Sequence, residues 1–113
     1  MMINDIGEAR IRVPDQIKRG DLITVNAIVS HPMDTGFFRT AEGEVIPAYF
    51  IEDVVVTYGN QEVARFEWTS GISRDPVVSF TLKVDREGPL TMVWSDNKGA
   101  SFKQSVNISF GSA

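Results

Sequence analysis

The sequence has no cysteine and a single histidine, His31. Without thiols there is no disulfide, no thiolate nucleophile and no thiolate metal site. A domain of this size does not need disulfide staples, so their absence does not fix the compartment. A conventional metal centre needs three or four suitable ligands, and one imidazole without cysteine does not supply them. Hydrolysis by a Ser-His-Asp constellation would have only His31 as base, and no Gly-x-Ser-x-Gly elbow is present. Gly36 and Gly43 lack Gly-x-Gly spacing, so no phosphate loop is visible. Glu52-Asp53 reads as a solvated pair rather than a catalytic one. No catalytic residue, metal ligand or cofactor site is therefore assigned.

Two classes of partner are also missing their signatures. Eleven Lys and Arg are scattered among 15 Asp and Glu, giving a net charge of −4. Nucleic-acid binding needs a concentrated basic face, so no nucleic acid is expected. No apolar run approaches the ~20 residues that cross a bilayer, so no membrane span is expected. Residues 1–10 show neither a basic leader nor an apolar core segment, so no secretory signal is expected there. Taken alone, that predicts the cytoplasm. No segment keeps a 3.6-residue apolar stripe, which predicts no substantial helix.

What the sequence does have is alternation. At 113 residues, with 42% hydrophobic and 23% charged residues, it fits one globular domain. Phe102, Val106, Ile108 and Phe110 share one parity, broken by Gln104 at a bulge or a sheet edge. Leu90, Met92 and Trp94 form a second such row, and Val78, Phe80, Leu82 and Val84 a third. Ala64, Phe66 and Trp68 form a fourth, Ile23, Val25, Ala27 and Val29 a fifth, and Ala9, Ile11 and Val13 a sixth. Asp96-Asn97-Lys98-Gly99 reads as a tight hairpin turn. About seven strands result, near residues 8–13, 21–30, 48–58, 61–69, 76–85, 89–95 and 101–110. Short antiparallel strands with Gly and Pro turns predict an all-β, immunoglobulin-like antiparallel sandwich. Trp68, Trp94, Phe66, Phe80 and Phe102 are its expected core.

Two places break the pattern. Residues 31–47 make a 17-residue connection where about 4–6 is usual. They carry His31 and the adjacent pair Phe37-Phe38, with a turn at Ala41-Glu42-Gly43-Glu44. A protruding hairpin is expected, with arms at 37–40 and 44–48. Residues 48–57 are apolar on both parities, with Phe50, Val54 and Val56 on one and Tyr49, Ile51 and Val55 on the other. A strand with one solvated face should not read this way. It is either covered twice within the monomer or turned toward a partner. His31 itself reads first as a hydrogen-bonding cap at a strand end. A place beside a partner's reactive group is the alternative, and direct catalysis a third.

The same stretch carries a resemblance. His31-Pro32-Met33-Asp34-Thr35-Gly36, the Ala41-Glu42-Gly43 turn, and Ile46-Pro47-Ala48-Tyr49-Phe50-Ile51 closely resemble the signature of the SoxZ family. The likeness extends more loosely over the whole chain, including the Asp96 to Gly99 hairpin. One departure is Phe37-Phe38, where family members often carry basic or other polar residues. The resemblance implies an immunoglobulin-like, cofactor-free subunit of the SoxYZ sulfur carrier of bacterial thiosulfate oxidation. Its partner SoxY holds sulfur intermediates on a cysteine near the end of a Gly-rich arm. The pair is presented in turn to haem, manganese and molybdenum enzymes. It also implies a periplasmic address, reached by export together with SoxY. A chain without cysteine does not fill the SoxY role, and Ser109-Phe110-Gly111-Ser112-Ala113 is no Gly-Gly-Cys tail.

On that basis Tyr49, Ile51 and Val55 are expected to pack on SoxY. His31, Met33, Phe37, Phe38 and Arg39 are expected near its arm or the docking enzymes. Alone, the chain could form homo-oligomers through the same apolar face. The competing reading is a generic immunoglobulin-like module that binds another protein or itself.

Overall fold

The structure is a computed structural model and describes residues 6–111. Residues 1–5, half of the 1–10 segment read above, and residues 112–113 of the C-terminal tail lie outside the described residues.

Seven strands follow in chain order: β1 (Ala9–Arg12), β2 (Leu22–Val29), β3 (Ile51–Tyr58), β4 (Gln61–Glu67), β5 (Val77–Lys83), β6 (Gly88–Asp96) and β7 (Ser101–Ile108). They form a three-stranded sheet in the order β1-β2-β5 and a four-stranded sheet in the order β4-β3-β6-β7. All pairings are antiparallel, and no helix occurs among the described residues. The alternation read from the sequence is the alternation of burial. Ile23, Val25, Ala27 and Val29 of β2 point inward, as do Leu90, Met92 and Trp94 of β6. These rows meet between the sheets, the arrangement expected of an immunoglobulin-like sandwich.

The core differs in detail from the expected aromatic set. Trp94 is completely enclosed, but Phe66, Trp68, Phe80 and Phe102 are only half-buried and pack around the rim. The centre is filled mainly by branched aliphatics such as Val25, Val54, Val56, Leu90 and Ile108. Ile17, inside the polar-looking 14–20 connection, turns back to plug one end of this core. Gln104 interrupts the inner row of β7 without a bulge, since the ladder runs unbroken through Met92↔Gln104. The edge explanation holds instead. Its Nε2 donates to the Ala9 carbonyl at 2.9 Å and ties edge strand β7 to β1.

The strand apolar on both parities has a local cause. Ile51 pairs with Asp96 of β6, yet Asp53 pairs with the adjacent Ser95, so Glu52 is an extra residue in β3. A one-residue bulge exchanges the two faces beyond it. Ile51 therefore shares the inward side with Val54, Val56 and Tyr58, while Val55 faces out. This corrects the expectation that Ile51 and Val55 share a partner-binding face. Ile51 is 0% exposed and belongs to the core. Replacing it by alanine should lower unfolding free energy by roughly 2–5 kcal/mol in denaturant titration. A loss confined to partner binding, with stability unchanged, would contradict this placement.

Candidate functional site

The long excursion after β2 rises from one end of the sandwich, and a set of buried polar contacts fixes its base. Main-chain bonds hold His31 first. Its N–H donates to Asp75 Oδ1 at 2.9 Å, and the Asp75 N–H donates to the His31 carbonyl at 2.9 Å. Asp75 adopts a left-handed backbone, φ 51°, which aspartate tolerates better than most residues.

The imidazole points inward and is 1% exposed. Its Nδ1 accepts the Met33 N–H at 3.1 Å, which assigns the proton of a neutral ring to Nε2. Nε2 faces Asp96 Oδ2 at 3.4 Å, a long contact between two fully enclosed side chains. The other oxygen, Asp96 Oδ1, accepts the N–H groups of Lys98 (2.9 Å) and Ala100 (3.0 Å). One His–Asp pair thus joins the end of β2 to the β6–β7 turn. Tyr49 meets the imidazole edge-on with ring centroids 4.4 Å apart, and Lys98 Nζ lies 4.0 Å over the Tyr49 ring. Burial lowers the His31 pKa below its ordinary value, against the opposing pull of Asp96. Burial, with the Asp96 charge, raises that of Tyr49.

Further contacts staple the two legs of the excursion. Asp34 and Tyr49 exchange both main-chain bonds, at 2.7 and 2.9 Å. Asn97 accepts the Phe50 N–H and donates to the Ala48 carbonyl. Met33 Sδ receives the Ile51 N–H at 3.3 Å. Beyond this base the chain forms the expected hairpin. Arg39 bridges Val45, the Ile46 N–H donates to the Phe38 carbonyl, and the Thr40 N–H donates to the Glu44 carbonyl. Arg39 Nη1 binds the Gly43 carbonyl, and Gly43 supplies the positive φ of 89° that closes the turn. Residues 37–45 are all exposed. Phe37 is 88% and Phe38 66% exposed, and Val45 is exposed with them.

The eight residues singled out from sequence therefore separate. Phe37, Phe38 and Arg39 stand on the hairpin, and Tyr49 lies half-buried at its base. Val55 is half-buried on the outer face of the four-stranded sheet, opposite Val93 and Arg65. His31, Met33 and Ile51 are inside and offer no surface for a partner. His31 does what its first reading expected, bonding at a strand end. Sequence reasoning missed Asp75, Asp96 and Asn97. Asp96 had a signal: it continues the inward parity of Leu90, Met92 and Trp94, as His31 continues that of Val25, Ala27 and Val29. Among the described residues no group of three or more His, Asp or Glu side chains is placed to hold a metal ion.

The lowered His31 pKa makes stability depend on pH. Below 6.5 the unfolded chain takes up a proton that the buried ring resists, so stability is full above that pH and falls beneath it. Protonation also destroys the Nδ1 acceptor for Met33. His31→Ala should cost roughly 1–3 kcal/mol at pH 7 by leaving the Met33 N–H and Asp96 Oδ2 short of a partner. It should also remove this component of acid sensitivity in urea titrations between pH 7 and 5. Equal slopes for variant and wild type would refute it.

Comparison with known proteins follows the same lines. Structures of similar fold include the superoxide reductase (neelaredoxin) from Ignicoccus hospitalis, with a TM-score of 0.68 and 19% identity over 91% of this chain and 80% of that one. The sulfur carrier protein SoxY from Chlorobium limicola f thiosulfatophilum gives 0.62 and 16% over 91% and 78%. A variant of the Archaeoglobus fulgidus superoxide reductase (neelaredoxin) in its reduced form gives 0.61 and 20% over 98% of each chain. At these identities the likeness is one of fold. No curated protein is similar enough in sequence to count as a match. The family model for the sulphur oxidation protein SoxZ matches residues 11–107, which takes in the hairpin, its clamped base, β2 to β6 in full and parts of β1 and β7. The chain belongs to the SoxZ family of sulfur-oxidation proteins.

Proposed function

We propose that this chain is the non-catalytic subunit of a two-chain sulfur carrier. It pairs with SoxY and helps to present sulfur held on the partner's cysteine to the enzymes of sulfur oxidation. Its address in this reading is the periplasm, reached together with SoxY. One observation carries the proposal: an exposed aromatic pair, Phe37 and Phe38, sits on a hairpin whose base is locked to the sandwich. Large aromatic side chains in water are costly alone and are the commonest anchors of protein interfaces. A rigid base lets them bind without the entropy loss of ordering a loop. Their burial against SoxY would be flanked by Arg39 and Val45 on the hairpin and by Tyr49 with Lys98 at its foot. The outer sheet face around Val55 and Val93, bordered by the Arg65–Asp53 ion pair on one side and Lys103 on the other, would extend the contact.

The SoxZ role asks nothing of this chain's own nucleophiles. It has no thiol to bear sulfur, and its single imidazole is spent on holding the excursion.

Replacing Phe37 and Phe38 together by aspartate should weaken capture of SoxY by well over tenfold, since two anchors are lost. The thermal unfolding midpoint should stay within a degree or so of wild type, because neither ring packs on the core. Undiminished co-purification with SoxY would reject the hairpin as the contact.

A further inference from the structure

Two open sheets leave four strand edges, and an edge with free N–H and C=O groups invites pairing unless something blocks it. Three edges here are blocked. β1 has four residues, carries Arg10 and Arg12, and is tied to β7 through Gln104. β7 shares that tie and adds Lys103. β4 displays Glu62, Arg65 and Glu67, and its pairing with β3 is irregular at Val56/Thr57. β5 carries a single charge, Lys83 at its last residue, and none of the other devices. Residues 77–82, Val-Val-Ser-Phe-Thr-Leu, contain no charge, proline or glycine. They are strong strand formers, paired on one side only, with β2.

A second observation concerns the same side of the molecule. β1 and β7 close one flank of the sandwich, but β4 and β5 do not approach each other backbone to backbone. The gap is spanned by the rings of Phe66 and Phe80, 6.1 Å apart, and Val78 and Trp68 extend it. All four are only half-buried, so an apolar seam runs beside the unguarded edge. Val77, 63% exposed, adds apolar surface on the outer face of β5.

We propose that β5 is a self-pairing edge, through which two copies of this chain join antiparallel about a two-fold axis. The two three-stranded sheets become one of six strands, β1-β2-β5-β5-β2-β1, and the two aromatic seams come to lie against each other. The sequence of β5 is complementary to itself. With Phe80 on the axis, Ser79 faces Thr81, Val78 faces Leu82 and Val77 faces Lys83. Residues of even number meet even and stay on the core side in both copies. Lys83, the only charge, sits at opposite ends and meets no like charge. Such a contact is isologous and closes at two copies. The expected self-association through Tyr49, Ile51 and Val55 loses its centre because Ile51 is internal. The β5 edge replaces it and is independent of the hairpin.

Sedimentation equilibrium of the full chain across a dilution series tests this. Wild type should show a monomer–dimer equilibrium. Ser79→Lys with Thr81→Lys puts lysine opposite lysine twice and should raise the dissociation constant by about tenfold or more. The corresponding double glutamate variant should be equally monomeric alone, and an equimolar mixture of the two should recover the dimer. Both positions face solvent, so folding should persist. Thr81→Lys alone, placed opposite Ser79, gives a milder form of the test if the double variant unfolds. Phe37→Asp/Phe38→Asp should remain dimeric, which separates this edge from the SoxY contact. A wild-type monomer at every concentration, a dimer indifferent to the lysines, a mixture that stays monomeric, or a dimer lost with the hairpin phenylalanines would each overturn the proposal.

Discussion

The buried pair of His31 and Asp96 is the constraint on which the exposed part of the molecule depends. A 17-residue excursion has many conformations open to it, and ordering it costs entropy. The pair offsets that cost where it is most effective, at the base. The imidazole receives one segment's N–H, faces a carboxylate from another, and is gripped along its own backbone by Asp75 from a third. Enclosure makes each contact worth more than it would be in water, and makes leaving one unmade correspondingly expensive. The hairpin above it can then be short of core contacts and still hold its shape.

Much of this was legible in the sequence, and the reason is physical. Side chains in a strand alternate with a strict period of two, so rows such as Leu90, Met92, Trp94 announced both the strand and its inner face. The Asp96 to Gly99 turn and the hairpin around Gly43 were readable because few residues accept the backbone angles such turns need. Ile51 was misplaced because period two is also fragile. The extra residue Glu52 exchanges the faces, and nothing local in the sequence distinguishes a bulge from a strand apolar on both sides. The rim position of Phe66, Phe80 and Phe102 was hidden for a different cause. Parity tells which face a residue is on, but not how far the opposite sheet extends over it.

The His31–Asp96 pairing marks a further limit. Each residue separately continues an inward row, and an ionisable group in such a place needs a partner. The sequence does not say that two such residues 65 positions apart meet each other. That depends on the crossing of the two sheets at one end, which only the assembled fold fixes. The family resemblance was read from this same stretch. Its most recognisable residues, from His31 to Ile51, divide between those that lock the excursion and those that it displays.

That division has an evolutionary consequence. Residues 37–45 touch little besides one another and water, whereas the segments below them are bound to three parts of the sandwich. Substitutions at the tip are thus nearly free of any penalty in folding, and lineages can drift there to suit whichever counterpart they meet. The exposed pair Phe37-Phe38 is the kind of feature such a plan permits.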